Sequence, residues 1–198
     1  MKRKNSILLA GIAAVGIFCL TIVAVLETYY ERWQAEAAIK TISSVEVGGT
    51  DGDSAAQSMR QRFHDHLFHH SATFDQYRFR NLGFALLHLA PRTYIWMEID
   101  YKDGVVTRKF FQYYEEPRCT GELTEQLAEL PSKKDRSVYL GSDTPSPVFA
   151  MRVYDNLNVP RERRGVDWQI DLSCFTRFRG CQDPRRVLYG ALSEVARK

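Results

Sequence analysis

Signatures of chemistry are scarce in this chain. Only four of its 198 residues are cysteine and no C-x-x-C pair occurs, so the usual ligand spacing of a structural zinc site is missing. Serine, histidine and aspartate are all present, but no G-x-S-x-G turn exposes a serine as a hydrolase nucleophile. Gly48, Gly49 and Gly52 cluster in one turn, yet no lysine follows in the Walker position, and the segment reads as a connector with an N-cap at Asp51 or Asp53. There is no internal repeat and no low-complexity tract. No catalytic or cofactor-binding residue is assigned from these patterns.

A local absence says more. Ser6 to Leu26, SILLAGIAAVGIFCLTIVAVL, contains no charge and no proline. A bilayer core about 30 Å thick takes roughly 20 apolar residues in helical form, so this run is long enough to span. Lys2, Arg3 and Lys4 precede it, and cationic flanks stay on the cytoplasmic side. The reading is a single-pass signal anchor of the plasma (inner) membrane with a cytoplasmic N-terminus, and Tyr29, Tyr30 and Trp33 at the outer headgroup level. A cleaved signal is the rival. Its apolar region runs about 7 to 15 residues and ends at a small-x-small site, whereas this run is longer and Leu26-Glu27-Thr28 is a poor cleavage site. Ala10 and Ala14 form a small-xxx-small pair, read as lipid-facing filler.

The formal charge of +3 comes from the anchor's flank: once Lys2, Arg3 and Lys4 are set aside, the remaining Lys and Arg balance the 24 Asp and Glu. A neutral exported domain argues against a nucleic-acid partner. Arg161, Arg163, Arg164, Arg177, Arg179, Arg185 and Arg186 read as solvated charges. An oxidising compartment also sets how the cysteines are read. Cys19 lies in the span as a small apolar residue. Cys174 and Cys181 enclose FTRFRG and are expected to form a disulfide whose ring removes only ~2.5 kcal/mol of unfolded-chain entropy. Pairing of Cys119 with either one is the alternative.

Glu27 to Ile42 lacks a helix breaker and is expected to carry the spanning helix outward as a stalk. Ser54 to Phe68 repeats Met59, Phe63 and Leu67 at a spacing of four, an amphipathic helix. Its end, His64-Asp65-His66-Leu67-Phe68-His69-His70, holds the densest candidate chemistry. If the helix persists, His66 and His70 stand one turn apart and suit a transition metal such as zinc, with His64, Asp65 and His69 near. The competing reading is a solvated helix end whose histidines complement the dipole. Asn81 to Ala90 reads as a helix or buried turn with His88 as a core residue.

Thr93–Tyr101 and Val105–Tyr114, joined through Lys102, Asp103 and Gly104, form the strongest hairpin signal. Pairing Lys102 with Val105 sets Glu98 opposite Lys109 and Met97 opposite Phe110. Ile95, Met97, Ile99, Val106 and Phe110 then face the core, while Tyr94, Trp96, Phe111 and Tyr113 form an aromatic face that needs a cover, the candidate interface. Thr120 to Leu130 is expected to be a short helix striped by Leu123, Leu127 and Leu130. Val138–Leu140, Val148–Tyr154 and Val166–Leu172 read as strands, and Asp183-Pro184 opens a last helix that buries Leu188, Leu192 and Val195.

The anchor, the V-x-V-G-G-T turn into a helix, the middle β-meander and the late L-S-C-F-T-R-F-R-G-C-Q-D-P together resemble uncharacterised single-pass envelope proteins of bacteria, which implies location and fold and no activity. The glycine-threonine turn is also similar to that of BamE-like outer-membrane assembly lipoproteins, but no lipobox cysteine ends the apolar run. A type IV pilin shares the N-terminal helix, the sheet and the late disulfide loop, but not the glycine cleavage site or the glutamate at the fifth mature position. The expected architecture is α+β. Residues 1–5 form a cytoplasmic tail, 6–26 the transmembrane helix, 27–47 a helical stalk and linker, and 48–198 one extracytoplasmic domain with an antiparallel sheet of about four to six strands packed by helices. The expected role is a non-catalytic binding or envelope-assembly module with a protein partner. The alternative is a metal-dependent enzyme or metal-binding protein using His64–His70.

Overall fold

The computed structural model describes residues 2–49, 52–116, 119–126, 136–141, 149–156, 168–181, 183, 186–188 and 190. Its first element, α1 (Lys2–Ser44), is one unbroken helix of 43 residues. At 1.5 Å per residue it is about 65 Å long. It is long and apolar enough to cross a membrane, and no residue of its most apolar window is buried. From Thr28 the character changes. Ala35, Ala38, Ile39 and Ile42 recur at helical spacing and are buried, followed by Val45 and Val47 beyond the helix end. The segment expected to continue the helix as a stalk also covers the sheet, because its alanine and isoleucine stripe is apolar enough to join the core.

The sheet has seven strands: β1 (Leu67–His70), β2 (Phe74–Arg80), β3 (Thr93–Lys102), β4 (Val105–Glu115), β5 (Cys119–Gln126), β6 (Arg136–Gly141) and β7 (Phe149–Asn156), in the order β1-β2-β3-β4-β5-β7-β6. Neighbours from β1 to β5 pair antiparallel, β5 and β7 pair parallel, and β6 pairs antiparallel to β7. With α1, α2 (Gly52–Arg62) and α3 (Leu82–Leu86), this is the expected α+β class with more strands than foreseen. Tyr77, Phe79, Ile95, Met97, Ile99 and Phe111 fill the buried face.

The β3–β4 turn forms as the Asp-Gly signal requires. Asp103 and Gly104 both take positive φ (52° and 76°), the twist-matched geometry of a two-residue hairpin, and Lys102 pairs with Val105. A bulge between Asp100 and Tyr101 then shifts the register. Asp100 meets Arg108, so Thr107 is the extra residue; Glu98 lies opposite Phe110 and Met97 opposite Phe111. A one-residue slip exchanges the faces of a strand. Phe111 and Tyr113, expected on the interface, are fully buried, whereas Phe110 turns to the other side. The doublets Phe110-Phe111 and Tyr113-Tyr114 leave this parity ambiguous to pattern reading. The polar residues decide it: the bulge keeps Arg108 and Gln112 off the core, where Arg108 pairs with Glu98 and Asp100 and Gln112 donates to Glu122.

The helix expected over Thr120–Leu130 is instead β5 as far as Gln126. Gly121 and Leu123 face inward opposite Tyr113 and Phe111, and pairing on both edges overrides the helix propensity of Leu-Thr-Glu-Gln. Leu127 and Leu130 lie outside the described residues, as does the side chain of Cys119. Trp168 to Leu172 is not a strand, although Trp168 and Leu172 are buried. The helix expected after Asp183 falls mainly outside the described residues. His88, expected in the core, is exposed with φ 55°.

Lys109 is the one basic side chain that β4 carries inward, and it is only 2 % exposed. Its Nζ lies 2.9 Å from Glu125 Oε2, donates to the Val45 carbonyl at 2.8 Å, and stands 4.9 Å from the centre of the Trp168 ring. Trp168 Nε1 donates to the same Glu125 oxygen at 3.0 Å. Burial pushes the ammonium below the ordinary lysine range, and Glu125 acts against that shift. Removing one partner of a buried pair costs about 3 to 5 kcal/mol, because the other charge is left uncompensated. Lys109→Met is expected to lose stability on that scale in guanidinium titrations of the purified chain. Lys109→Met/Glu125→Leu should lose less than the sum of its single variants; strict additivity would show that the two groups are not coupled.

Candidate functional site

The Arg80 end of β2 meets α1 around a cavity of about 230 Å³. Along Phe74–Arg80, Asp75, Tyr77 and Phe79 are buried, while Gln76, Arg78 and Arg80 alternate onto the more exposed side. Arg78 and Arg80 line the cavity, Tyr30 and Glu31 enter from α1, and Asp65, His66, Leu67 and Phe68 close it. The Arg78 guanidinium stacks over Phe68 at 4.0 Å and stands 5.3 Å from the Trp96 ring, and Phe68 meets Trp96 edge-on. Glu31 Oε2 accepts from the Arg80 backbone N–H at 3.2 Å and lies 3.8 Å from His66 Nδ1. Among the described residues neither guanidinium makes an ion pair within 4.0 Å. Partial burial, and then the like charge of Arg80, lower Arg78 from its usual value.

The histidine cluster is divided by the end of α2. The helix stops at Arg62, Phe63 adopts φ −121° and ψ 33°, His64–His66 form a 3-10 turn, and Leu67–His70 pair with β2 as an edge strand. The one-turn relation of His66 and His70 therefore does not arise. His64 Nε2 contacts Asp65 Oδ1 at 3.0 Å in the open, His66 packs on the Phe79 ring, and His69 stacks on Phe74. His70 Nδ1 lies 2.5 Å from Oδ1 of the buried Asp75, whose Oδ2 is 3.4 Å from Arg60. Among the described residues no three or more His, Cys, Asp or Glu are grouped to hold a metal ion.

The Arg60–His70–Asp75 cluster ties α2 to the sheet edge. Tyr77 buries its hydroxyl beside Asp75, and burial, reinforced by that carboxylate, pushes the phenol far above its ordinary range. The neighbouring Ser71 hydroxyl is used by the β1–β2 turn: it accepts from the Thr73 and Phe74 amides and donates to the Phe74 carbonyl. This arrangement clamps structure and offers no free nucleophile at Ser71.

Tyr94 and Trp96, the other two interface candidates, do face away from the core, partly exposed, with Tyr94 stacked on Tyr114. Cys174 and Cys181 are disulfide-bonded, with Cα atoms 4.8 Å apart. Their loop is seated on the buried Glu115, whose Oε2 accepts from the Cys181 amide at 2.7 Å and from the Tyr113 hydroxyl at 2.9 Å. Gly180 lies against that carboxylate with φ 70°, where a Cβ would overlap it. A wider depression of about 480 Å³ beside the loop is lined by Gln169, Asp171, Ser173, Arg177 and Arg186.

Sequence reasoning missed Glu31, Arg78 and Arg80. The period-2 alternation of FDQYRFR was the available signal, and it places both arginines on one face.

Burial, ahead of the opposing charge of Asp65, lowers His66 from its ordinary 6.5, and burial raises Glu31 from 4.5. The folded state thus takes up the His66 proton less readily than the unfolded chain does. That contribution to stability is whole above about pH 6.5 and is lost as pH falls below it. Glu31 acts oppositely, stabilising when protonated and losing this effect as pH rises above 4.5. His66→Gln is expected to flatten the fall in melting temperature between pH 7 and 5; identical slopes in wild type and variant would refute the assignment. No protein family, curated protein or solved structure matches this chain.

Proposed function

We propose that this is a single-pass protein of the inner membrane with its N-terminus in the cytoplasm, whose extracytoplasmic α+β domain serves as a non-catalytic binding or envelope-assembly module. The observation that carries the reading is the continuity of α1, whose most apolar stretch has no buried residue among those described and whose second half is part of the domain core. Lys2, Arg3 and Lys4 favour the inward N-terminus, and a Cys174–Cys181 bridge suits an oxidising compartment. The contact surface is the sheet face turned away from α1. It presents Tyr94, Trp96, Tyr114 and Arg78, residue types that anchor protein interfaces. Phe111 and Tyr113 support this face from behind, within the core.

In cells, the full chain should stay in the membrane pellet after carbonate extraction, with Cys174 and Cys181 oxidised in thiol mass mapping. A soluble chain beginning just after residue 26 would overturn the anchor in favour of a cleaved signal. A photo-crosslinker at Trp96 should give a discrete envelope adduct that the same group at the exposed Arg62 on α2 does not; equal labelling at both positions would count against a specific surface.

A further inference from the structure

Distances along α1 fix the height of each feature relative to the apolar run. The run closes at Leu26, and Tyr30 and Glu31 lie four and five residues beyond it. That is roughly 6 to 7.5 Å along the axis, the depth of the headgroup layer outside the hydrocarbon. The cavity between Arg78 and Arg80 opens at this height.

Helix α3 is lower still. Gly83 abuts the Ala24 carbonyl so closely that a Cβ would overlap it. The Gly83 amide donates to Glu27 Oε2 at 2.8 Å and the Phe84 amide to Thr28 Oγ1 at 3.2 Å. These bonds hold α3 level with the last turn of the apolar run, where Leu86 is 69 % exposed and Leu82 42 %. The disulfide loop reaches the same side, since the Arg179 amide donates to the Leu89 carbonyl at 3.0 Å; there Phe178 is 65 % exposed between Arg177 and Arg179. Two acids also line the cavity: Glu31, which accepts from the Arg80 backbone N–H, and Asp65, which contacts His64, while Glu27 is bonded to α3.

We propose that the cavity is a phospholipid headgroup site, in which Arg78 and Arg80, with His66 and Tyr30, hold the phosphate of an anionic lipid while Leu82, Leu86 and Phe178 enter the acyl boundary. The occupant follows from continuity with the apolar run, which brings lipid to the mouth of the cavity, and from two guanidiniums with no carboxylate within 4.0 Å among the described residues. Arginine suits phosphate because its planar fork donates two parallel hydrogen bonds. Exposed leucine and phenylalanine beside arginines match the composition of an interfacial surface. The assignment rests on α1 spanning the bilayer.

The test uses the full chain reconstituted into vesicles of phosphatidylcholine with spin-labelled phosphatidylglycerol or spin-labelled phosphatidylcholine as the probe. Wild type should retain the anionic probe in its motionally restricted lipid shell in preference to the neutral one. Arg78→Gln and Arg80→Gln should each reduce that preference on the order of five-fold, and Arg62→Gln on α2 should leave it unchanged. A preference that persists in Arg78→Gln/Arg80→Gln overturns the site, as does one abolished by millimolar inorganic phosphate, which would identify free phosphate as the ligand. Flotation separates the two readings. A chain that floats with vesicles yet shows no lipid preference refutes the headgroup site and keeps the anchor; a chain that does not float refutes both. A fluorophore at Leu86→Cys should be quenched by doxyl groups on the lipid, and an unquenched one would place α3 in water and refute the shallow insertion.

Discussion

Ala35, Ala38 and Ile42 can be buried only if α1 lies along the sheet, and the same helix continues without a break into its apolar half. That single constraint governs the domain's posture. A helix pinned over two turns or more cannot pivot freely where the packing ends, so the domain holds a fixed inclination to the apolar segment. The bonds of Glu27 and Thr28 to α3 extend the restraint down to the base of the domain. The usual arrangement of a domain on a loose tether would leave Glu27 and Thr28 as solvated residues of a free stalk.

The upper end of α1 is secured by a charge. After Ser44 the chain leaves the helix, and the Val45 carbonyl receives Lys109 Nζ, where a cation suits the negative end of the helix dipole. Glu125 and Trp168 enclose the same ammonium, so helix end, sheet and C-terminal segment converge on one group. A buried pair is costly to desolvate and contributes little net stability over an apolar replacement. Its effect here is on register. Lys109 reaches Glu125 only with the β4 bulge in place, and the alternative parity would bury Arg108 without that partner.

Much of this was legible from composition alone where one force dominates. Ser6–Leu26 is uniformly apolar, Asp103-Gly104 meets the positive φ its turn needs, and Cys174 and Cys181 are close enough in sequence to close a small ring. Legibility ended where two local patterns compete. The doublets at Phe110–Phe111 and Tyr113–Tyr114 fit either face of a strand, so the parity was settled by distant polar partners. Thr120–Gln126 has helical propensity and a strand's environment. His64–His70 continues an amphipathic period past Arg62, and only the open edge of β2 shows why the chain becomes extended at Leu67. Arg78 and Arg80 were readable in principle, but their meaning depends on Glu31 and Tyr30, nearly fifty residues earlier in the chain.

The edge strand β1 has a consequence for how copies of this chain meet. It is four residues long, and its register shifts between Leu67 and His69, so it presents a kinked and brief row of backbone donors and acceptors. A straight neighbouring strand finds too few aligned partners there to add on, and the exposed His69 and His70 bring polar side chains to the same border. At high local concentration, copies of a chain collide edge to edge often. A border that resists templating keeps such crowding from becoming a sheet shared between molecules.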